Sequence, residues 1–183
     1  MLPRRVVIVA CAVALASPFG LGACGNSDEE QGVDEPAREG LALPLDGVTY
    51  NVFLTRELNP KIQEDEAYVS EDAPPGSALY GVFIQACNSS KDRRTPTDRF
   101  VVKDNQGNTF APKSLAADND FAYTPRTLDP QECIPEAGSV AQLGPTAGSM
   151  LLFEFPLENT ENRPLELEIE GQGGDKLTYE LDI

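Results

Sequence analysis

The chain of 183 residues contains no histidine. Without an imidazole it cannot build a Ser-His-Asp or Cys-His catalytic group, nor the histidine-ligated sites of zinc, iron and most copper proteins. Its two methionines are too few for a methionine-rich copper carrier. No glycine-rich loop joins a predicted strand to a helix, so we find no cradle for a nucleotide phosphate. We therefore expect no cofactor, no metal site and no catalytic residues, and predict that the protein is not an enzyme.

Basic residues are also scarce. The chain has 14 Lys and Arg against 30 Asp and Glu, which gives a formal net charge of −16. The negative electrostatic field of such a chain repels the phosphate backbone of nucleic acids, so we predict that nucleic acid is not a partner. Docking of a basic patch on anionic lipid is disfavoured for the same reason, because no Lys/Arg cluster is present to make it.

The longest apolar stretch lies at the amino terminus. Arg4 and Arg5 precede an uncharged run over residues 6–16, and smaller residues follow it. This is the order of regions in an export signal. The run has 11 residues, whereas roughly 20 are needed to span a bilayer, so residues 1–23 are predicted to be a cleaved signal peptide. The two arginines also resemble a twin-arginine signal, and both export routes remain open.

The signal ends in four residues that resemble the bacterial lipobox, namely Leu21, Gly22, Ala23 and Cys24. The resemblance implies that Cys24 becomes the mature amino terminus and carries a thioether-linked diacylglyceryl group. With a second acyl chain the attachment is durable, because each buried methylene contributes about 0.8 kcal/mol. The predicted location is the outer face of the cell membrane, with the lipid bilayer as a partner through acylated Cys24. The alternative is an ordinary signal peptidase site beside a coincidental cysteine.

A polar stretch follows the lipobox. Residues 25–40 carry six acidic residues and one basic residue, with almost no apolar periodicity. Such a segment buries too little surface to offset its ordering entropy, so residues 24–45 are predicted to be a flexible acidic tether. Loss of the signal would lower the basic count from 14 to 12, and the formal charge from −16 to −18. One folded domain over residues 46–183 remains.

Apolar residues in this domain alternate with a period of two, which indicates strands. The clearest case is a hairpin in which residues 165–169 and 177–181 flank a turn at 171–175. Residues 78–86 and 149–155 are more continuously apolar, as expected for central strands. Residues 100–102 and 109–110 suggest a short hairpin around residues 104–108. About seven short strands and no convincing long helix predict an all-β fold, an antiparallel sandwich.

Cys87 and Cys133 are the only cysteines that remain in the exported domain. In an oxidising exterior we expect them to form a disulfide. Cys87 ends a predicted core strand, and Cys133 lies in a predicted loop bounded by prolines. The alternative is a redox pair or a set of metal thiolates, which would lack both a Cys-x-x-Cys motif and histidine.

Oxygen-bearing side chains cluster in two predicted loops, residues 104–108 and 118–120. Oxygen ligands suit calcium, although neither loop has the EF-hand spacing. The alternatives are a hairpin turn for the first loop and an exposed acidic loop for the second.

Carboxylates leave one catalytic alternative open, since a pair of them can hydrolyse a glycosidic bond. The candidates lie in polar, turn-like stretches where solvated loop charge is the alternative interpretation, and they are Glu57, Glu64, Asp65 and Glu66.

Three segments of the domain, residues 46–50, 55–60 and 80–85, resemble a family of actinobacterial surface lipoproteins without an assigned activity. Residues 144–156 are similar to the penultimate strand of immunoglobulin-like bacterial lipoprotein modules, which are classed as a domain of unknown function. Those modules resemble a secreted immunogenic mycobacterial antigen in fold. The resemblance covers about residues 46–183, implies an immunoglobulin-like sandwich outside the cell, and brings no catalytic residues with it.

Together these features predict a non-catalytic interaction or assembly module that contacts an unknown envelope protein or cell-wall polymer. The alternative is a carboxylate-dependent hydrolase acting on envelope glycans. The segment we single out as a functional loop consists of Thr55, Arg56, Glu57, Leu58, Asn59 and Pro60. Its structural alternative is a turn fixed by Asn59 and Pro60, in which Arg56 pairs with a carboxylate at the edge of the core.

Overall fold

The structure, a computed structural model, describes residues 35–183. These residues form ten strands and one short α-helix, and seven of the strands have four or more residues. The strands are β1 (Ala37–Arg38), β2 (Ala42–Leu45), β3 (Val48–Leu58), β4 (Ser77–Asn88), β5 (Phe100–Lys103), β6 (Thr109–Phe110), β7 (Cys133–Ile134), β8 (Ser149–Pro156), β9 (Leu165–Glu170) and β10 (Lys176–Leu181), with helix α1 (Val140–Leu143) before β8. No helix among the described residues has the length and apolar character that crossing a bilayer requires.

The strands form two sheets. The first sheet has the order β1-β10-β9-β5-β6, and the second has the order β2-β3-β4, with β7 and β8 both pairing with the far edge of β4. All of these pairings are antiparallel except that of β1 with β10. The neighbours β10-β9-β5-β6 and β3-β4-β8 reproduce the G-F-C-C′ and A-B-E order of an immunoglobulin fold. The predicted all-β antiparallel sandwich is therefore confirmed.

The main core lies between the two sheets, because alternate side chains of each strand point inward. Two buried tyrosines at its centre have hydrogen-bond partners. The Tyr179 hydroxyl donates to the Tyr50 carbonyl over 2.8 Å, and the Tyr50 hydroxyl accepts from the Thr97 N–H, also over 2.8 Å. Burial raises the pKa of both phenols, so they remain neutral donors and acceptors.

Both predicted hairpins are present. Strands β9 and β10 pair in register from Leu165 with Leu181 to Glu170 with Lys176, and β5 pairs with β6 through Val102 and Phe110. The predicted central strand over residues 78–86 is confirmed as β4, which lies between β3 on one side and β7 and β8 on the other.

The sandwich begins earlier than residue 46. Residues 37–38 and 42–45, which the sequence pattern assigns to the tether, form β1 and β2. The turn from β2 into β3 explains the difference, because Asp46 and Gly47 both have positive φ, at 53° and 78°. Two such residues make a tight hairpin turn, which places the preceding residues beside β3. The predicted boundary at residue 46 is therefore too late in the sequence, because the sheets already include residues 37–38 and 42–45.

A bulge in β3 divides its side chains between two cores. The pairing register with β4 shifts between Val52 and Leu54. Residues before the shift, such as Tyr50 and Val52, point into the sandwich, whereas Leu54 and Leu58 pack on the outer face of the second sheet. The extra residue re-aims every side chain that follows it. The alternation of apolar residues at 48, 50, 52 and 54 predicts that Leu54 faces the sandwich core together with Val52, and the bulge makes that prediction wrong for Leu54.

Candidate functional site

The segment over residues 55–60 spans a strand end and the start of a loop. Thr55 to Leu58 are the last four residues of β3, and the loop begins only at Asn59. The strand continues this far because β4 supplies partners as far as Leu79, opposite Leu58. The prediction of a loop at Thr55, Arg56, Glu57 and Leu58 is therefore corrected. The Asn59 side chain accepts from the Lys61 N–H over 3.0 Å, which fixes the turn at Asn59 and Pro60.

Arg56 is the centre of this segment. One of its nitrogens lies 2.7 Å from Asp65 Oδ1, and its Nε lies 3.4 Å from Thr146 Oγ1. Its guanidinium also packs 5.3 Å from the ring centre of Tyr68 and 5.6 Å from that of Phe83, within cation–π range. Arg56 thereby joins β3, the connection after it and the segment before β8. Its pair with Asp65 agrees with the structural alternative, in which Arg56 pairs with a carboxylate.

Asp65 is the buried partner of Arg56, with a side chain only 4% exposed. Burial acts to raise the pKa of Asp65, but the Arg56 hydrogen bond and charge and the Asn59 N–H outweigh it and hold that pKa below its ordinary value. A glycosidase acid needs the opposite shift. The other three candidate carboxylates are exposed side chains, those of Glu57, Glu64 and Glu66. None of the four therefore has the environment of a general acid.

The Asp104 carboxylate organises the loop between β5 and β6. Its Oδ1 accepts the Gln106 and Asn108 N–H groups, and its Oδ2 accepts side-chain amides from Asn108, Asn159 and Asn162. Burial acts to raise the pKa of Asp104, but these hydrogen bonds outweigh it and hold the pKa well below its ordinary range. The loop is thus a hydrogen-bonded turn in which both carboxylate oxygens already have donors, which leaves little capacity for calcium.

The second oxygen-rich loop, residues 118–120, is a connector. The Asn119 side chain donates to the Tyr68 carbonyl over 3.0 Å and accepts from the Phe121 N–H over 2.9 Å. Asp118 and Asp120 are exposed. Across residues 35–183, no three Asp, Glu or Cys side chains are grouped in a way that could hold a metal ion.

Cys87 and Cys133 form a disulfide in the structure. Cys133 lies in the short strand β7, directly opposite Cys87 of β4, rather than in a loop as the sequence pattern indicates. The pairing of β7 with β4 positions the two sulfur atoms, and backbone hydrogen bonds of Asn88 with Gln131 and Glu132 support it. The disulfide closes the long connection that leaves the end of β4 and returns as β7, which pairs with β4.

The outer face of the second sheet is covered by a second layer. Three connecting segments pack on it, residues 59–76, 111–123 and 139–148. They bury a separate hydrophobic cluster, which consists of Leu58, Tyr68, Val69, Leu79, Phe83, Phe121, Ala141, Met150 and Leu152. The Tyr68 hydroxyl accepts from the Thr146 N–H over 3.0 Å, which links two of the segments.

Two clefts open in this layer, on either side of a strap formed by residues 113–116. The first has a volume of about 260 Å³ and is lined by Tyr68, Val69 and Leu79 among others. The second has a volume of about 380 Å³ and reaches Phe100, Tyr123 and Met150. Leu152 lines both clefts, so they share one apolar floor under the strap. Binding pockets have volumes of roughly 300–1,000 Å³. Of these two clefts, the second reaches that size and the first does not.

The charged residues of the clefts are mostly acidic. Glu71 and Asp72 line the first cleft, and Asp98 lines the second. Lys113 is the one basic lining residue of either cleft, and its amine is paired with Glu154. The clefts thus have a mixed lining, with a negative rim and a largely buried apolar floor in which Leu152 is 6% exposed, and they form the candidate functional site. We call them, together with the strap, the groove.

The sequence pattern singled out Arg56 and its neighbours but missed the groove. Its residues come from segments that are distant in sequence. Asn119 and Leu152 lie in segments that the sequence pattern also singled out, residues 118–120 and 144–156, but nothing in those segments indicates a shared cleft. One local signal was available in Pro112. Because proline cannot donate a backbone hydrogen bond, it predicts that the pairing of β6 with β5 ends before Lys113. The chain then crosses to the other sheet, where the Lys113 N–H donates to the Leu152 carbonyl over 2.7 Å.

The predicted lipidation site lies outside the described residues. Leu21, Gly22, Ala23 and Cys24 all precede residue 35, so the signal peptide and the acylated cysteine remain predictions from sequence.

Comparison with protein-family models and with curated proteins finds no match. Three solved structures are similar in fold. An uncharacterised β-sandwich protein from Clostridium difficile 630 is 17% identical with a TM-score of 0.52, and the match covers 84% of this chain and 98% of that one. YjhA from Bacillus subtilis is 10% identical with a TM-score of 0.50, covering 80% and 99%.

The third similar structure is YcdA from Bacillus subtilis subsp. subtilis str. 168, a "putative lipoprotein". It is 10% identical with a TM-score of 0.50, and the match covers 77% of this chain but only 38% of YcdA. At these identities the likeness establishes a shared β-sandwich fold.

Proposed function

We propose that the chain is exported, acylated at Cys24, and acts outside the cell as a membrane-tethered, non-catalytic interaction module. The groove is the observation that carries the interaction role. A β-sandwich is complete with the core between its sheets, yet this one packs a second layer on an outer face and opens two clefts in it. Concave surfaces of this kind are where proteins preferentially bind other molecules.

The tethered location is supported by the leader sequence and by its continuity with the domain. The order of basic, apolar and small residues before Cys24 is that of a lipoprotein signal. YcdA, with the same sandwich fold, carries the description of a lipoprotein, which is consistent with that signal. From Cys24 to β1 the chain has about 13 residues, which can reach at most about 45 Å when extended. The first strand of the sandwich therefore lies within about 45 Å of the membrane surface.

A non-catalytic role is supported by the state of two carboxylates, Asp65 from the candidate hydrolase residues and Asp104 from the candidate calcium loop. Asp65 is held ionised by Arg56, and Asp104 is saturated with hydrogen-bond donors. Neither has the raised pKa of a catalytic acid, and both stabilise loops.

Site-specific photo-cross-linking on intact cells tests this function. A photoreactive side chain at Ala116, which is exposed on the strap, is expected to capture a protein or glycan partner. The same group at Glu136, which is exposed and does not line either cleft, serves as the matched control. Equal yields of cross-linked adduct from positions 116 and 136 would contradict the proposal, and so would the absence of any adduct from position 116.

A further inference from the structure

We propose that the groove binds an extended cationic peptide segment, which places an apolar side chain on the Leu152 floor and its basic side chains at the acidic rim. This inference rests on the proposed function and names the class of partner for that surface.

The rim is the first argument. Glu71 and Asp98 are exposed carboxylates on opposite sides of the strap, and neither has a basic partner among the described residues. Asp72 contacts Lys61 over 3.1 Å, but both side chains are more than half exposed, so that pair is weak. Lys113 is already neutralised by Glu154. Two carboxylates on separate sides of the groove are therefore free to pair with two separated cations of a partner.

The apolar floor is the second argument. Leu152 lies in both clefts, and the side chains around it belong to the buried cluster of the second layer. Leu152 is only 6% exposed beneath the strap, and a simple polyamine would pair with the rim but has no apolar side chain to place against this floor. A peptide with both basic and apolar side chains can satisfy both, because an apolar side chain of an extended chain can face the floor while the long, flexible basic side chains beside it reach sideways to the rim. A phosphate-rich wall polymer is excluded as the occupant by the sign of the rim.

The strap is the third argument, since it divides what would otherwise be one continuous trough. The strap is fixed at its start by the backbone bond from Lys113 to Leu152, and the chain just after it is fixed at Asn119 by the bond to Tyr68. Between these points only Leu115 is half-buried, whereas Ser114, Ala116 and Asp118 are exposed. A segment with so few buried contacts can open locally at little free-energy cost. Lifting Leu115 joins the two clefts and admits an extended chain.

Three acetylated and amidated peptide probes test the proposal on the purified full-length chain by fluorescence anisotropy. Lys-Leu-Lys-Leu-Lys is expected to bind, and to bind more weakly as salt is raised. Lys-Ser-Lys-Ser-Lys is expected to bind at least about tenfold more weakly because it lacks the apolar anchors, and Glu-Leu-Glu-Leu-Glu is expected not to bind. Equal binding of the lysine-leucine and lysine-serine probes would overturn the proposal, because it would reduce the interaction to net charge.

Charge-reversal variants locate the binding surface. The double variant Glu71→Lys with Asp98→Lys is expected to bind the lysine-leucine probe about tenfold more weakly, or weaker still. The control, Glu136→Lys with Glu180→Lys, changes net charge equally at exposed positions outside both clefts and is expected to change affinity less than about twofold. Circular dichroism verifies folding, and Glu71→Gln with Asp98→Asn replaces the first pair if reversal unfolds it. Equal weakening by the rim and control pairs would overturn the proposal.

A failure of the cationic peptide proposal can be distinguished from a failure of the proposed function. If cross-linking from Ala116 captures a partner but no lysine-leucine probe binds, the cationic peptide class is wrong and the interaction role stands. If the probe binds with the predicted pattern while intact cells give no adduct, the groove chemistry is right and the role at the envelope is wrong.

Discussion

At the scale of single residues, two carboxylates that sequence analysis associated with chemistry act as structural anchors. Asp65 receives the Arg56 guanidinium and the Asn59 N–H, and Asp104 receives five N–H donors. A composition rich in Asp and Glu could not distinguish these two from solvated neighbours. Their partners Arg56 and Asn162 are nine residues and more away in sequence, and only the folded chain brings them together.

Replacing Arg56 by methionine tests the first anchor. Arg56→Met keeps most of the apolar stem but leaves the buried Asp65 carboxylate without its cation, so the free energy of unfolding should fall by about 3 kcal/mol. Lys61→Ala, which breaks the exposed pair with Asp72, should lower it by less than about 1 kcal/mol. Urea unfolding measures both. Similar losses in the two variants would mean that the Arg56 pair is no stronger than a surface contact.

Acid unfolding tests the second anchor. The pKa of Asp104 is lowered by folding, so its stabilising contribution is present above the ordinary carboxyl pKa of about 4 and is lost as pH falls through the folded value. Asp65, Glu132 and Glu168 are shifted in the same direction. The free energy of unfolding should therefore decline as pH falls below about 5, and Asp104→Asn should show a shallower decline. Parallel pH profiles for the two proteins would contradict this assignment.

At the scale of elements, sequence patterning predicted the strands whose two faces differ most. Strand β9 alternates Leu or Ile with Glu, and every apolar residue of it is buried. The β3 bulge was not predictable in this way, since Phe53 is as apolar as its neighbours and nothing local marks the shift. Strand β2 was missed although a signal existed, because Asp-Gly between apolar residues is a strong hairpin signal.

Close packing in β4 is testable at Gly81. A Cβ atom there would lie 2.9 Å from Phe83 Cε2 and 3.0 Å from Leu58 Cδ1, inside the second-layer cluster. Gly81→Ala should therefore lower the free energy of unfolding by about 1–3 kcal/mol through overpacking. Gly173→Ala is the control, because its Cβ would have only ordinary contacts of 3.8 and 3.9 Å. Thermal unfolding of the two variants compares them, and an unchanged Gly81→Ala midpoint would show that the outer layer is loosely packed.

At the scale of the whole molecule, one sheet faces solvent with charges while the other carries the second layer. Glu168 on the first sheet contacts Lys103 and Lys176, and Glu170 contacts Arg99 over 3.0 Å. The second layer could not be predicted from sequence, because its links join residues as far apart as Arg56 and Thr146. Local periodicity describes which face of a strand is apolar, but it does not say which connection covers that face.

The disulfide is a property of the whole domain, since it closes a loop with a sequence separation of 46 residues. In the chain-entropy account, Cys87→Ser with Cys133→Ser should lower the free energy of unfolding by about 4 kcal/mol. Reductant should lower the stability of the parent chain by a similar amount and leave the variant unchanged. Urea unfolding with and without reductant provides the measurement. Insensitivity of the parent chain to reductant would indicate that the bond does not form.

The central claim is that this sandwich is presented at the cell envelope on a lipid attached to Cys24. Intact-mass spectrometry of the chain extracted from membranes of its native host tests it most directly. We predict a polypeptide of residues 24–183 whose mass is increased by a diacylglyceryl group and an acyl chain on Cys24. A chain with an unmodified amino terminus at another residue, or one that retains residues 1–23, would contradict the account.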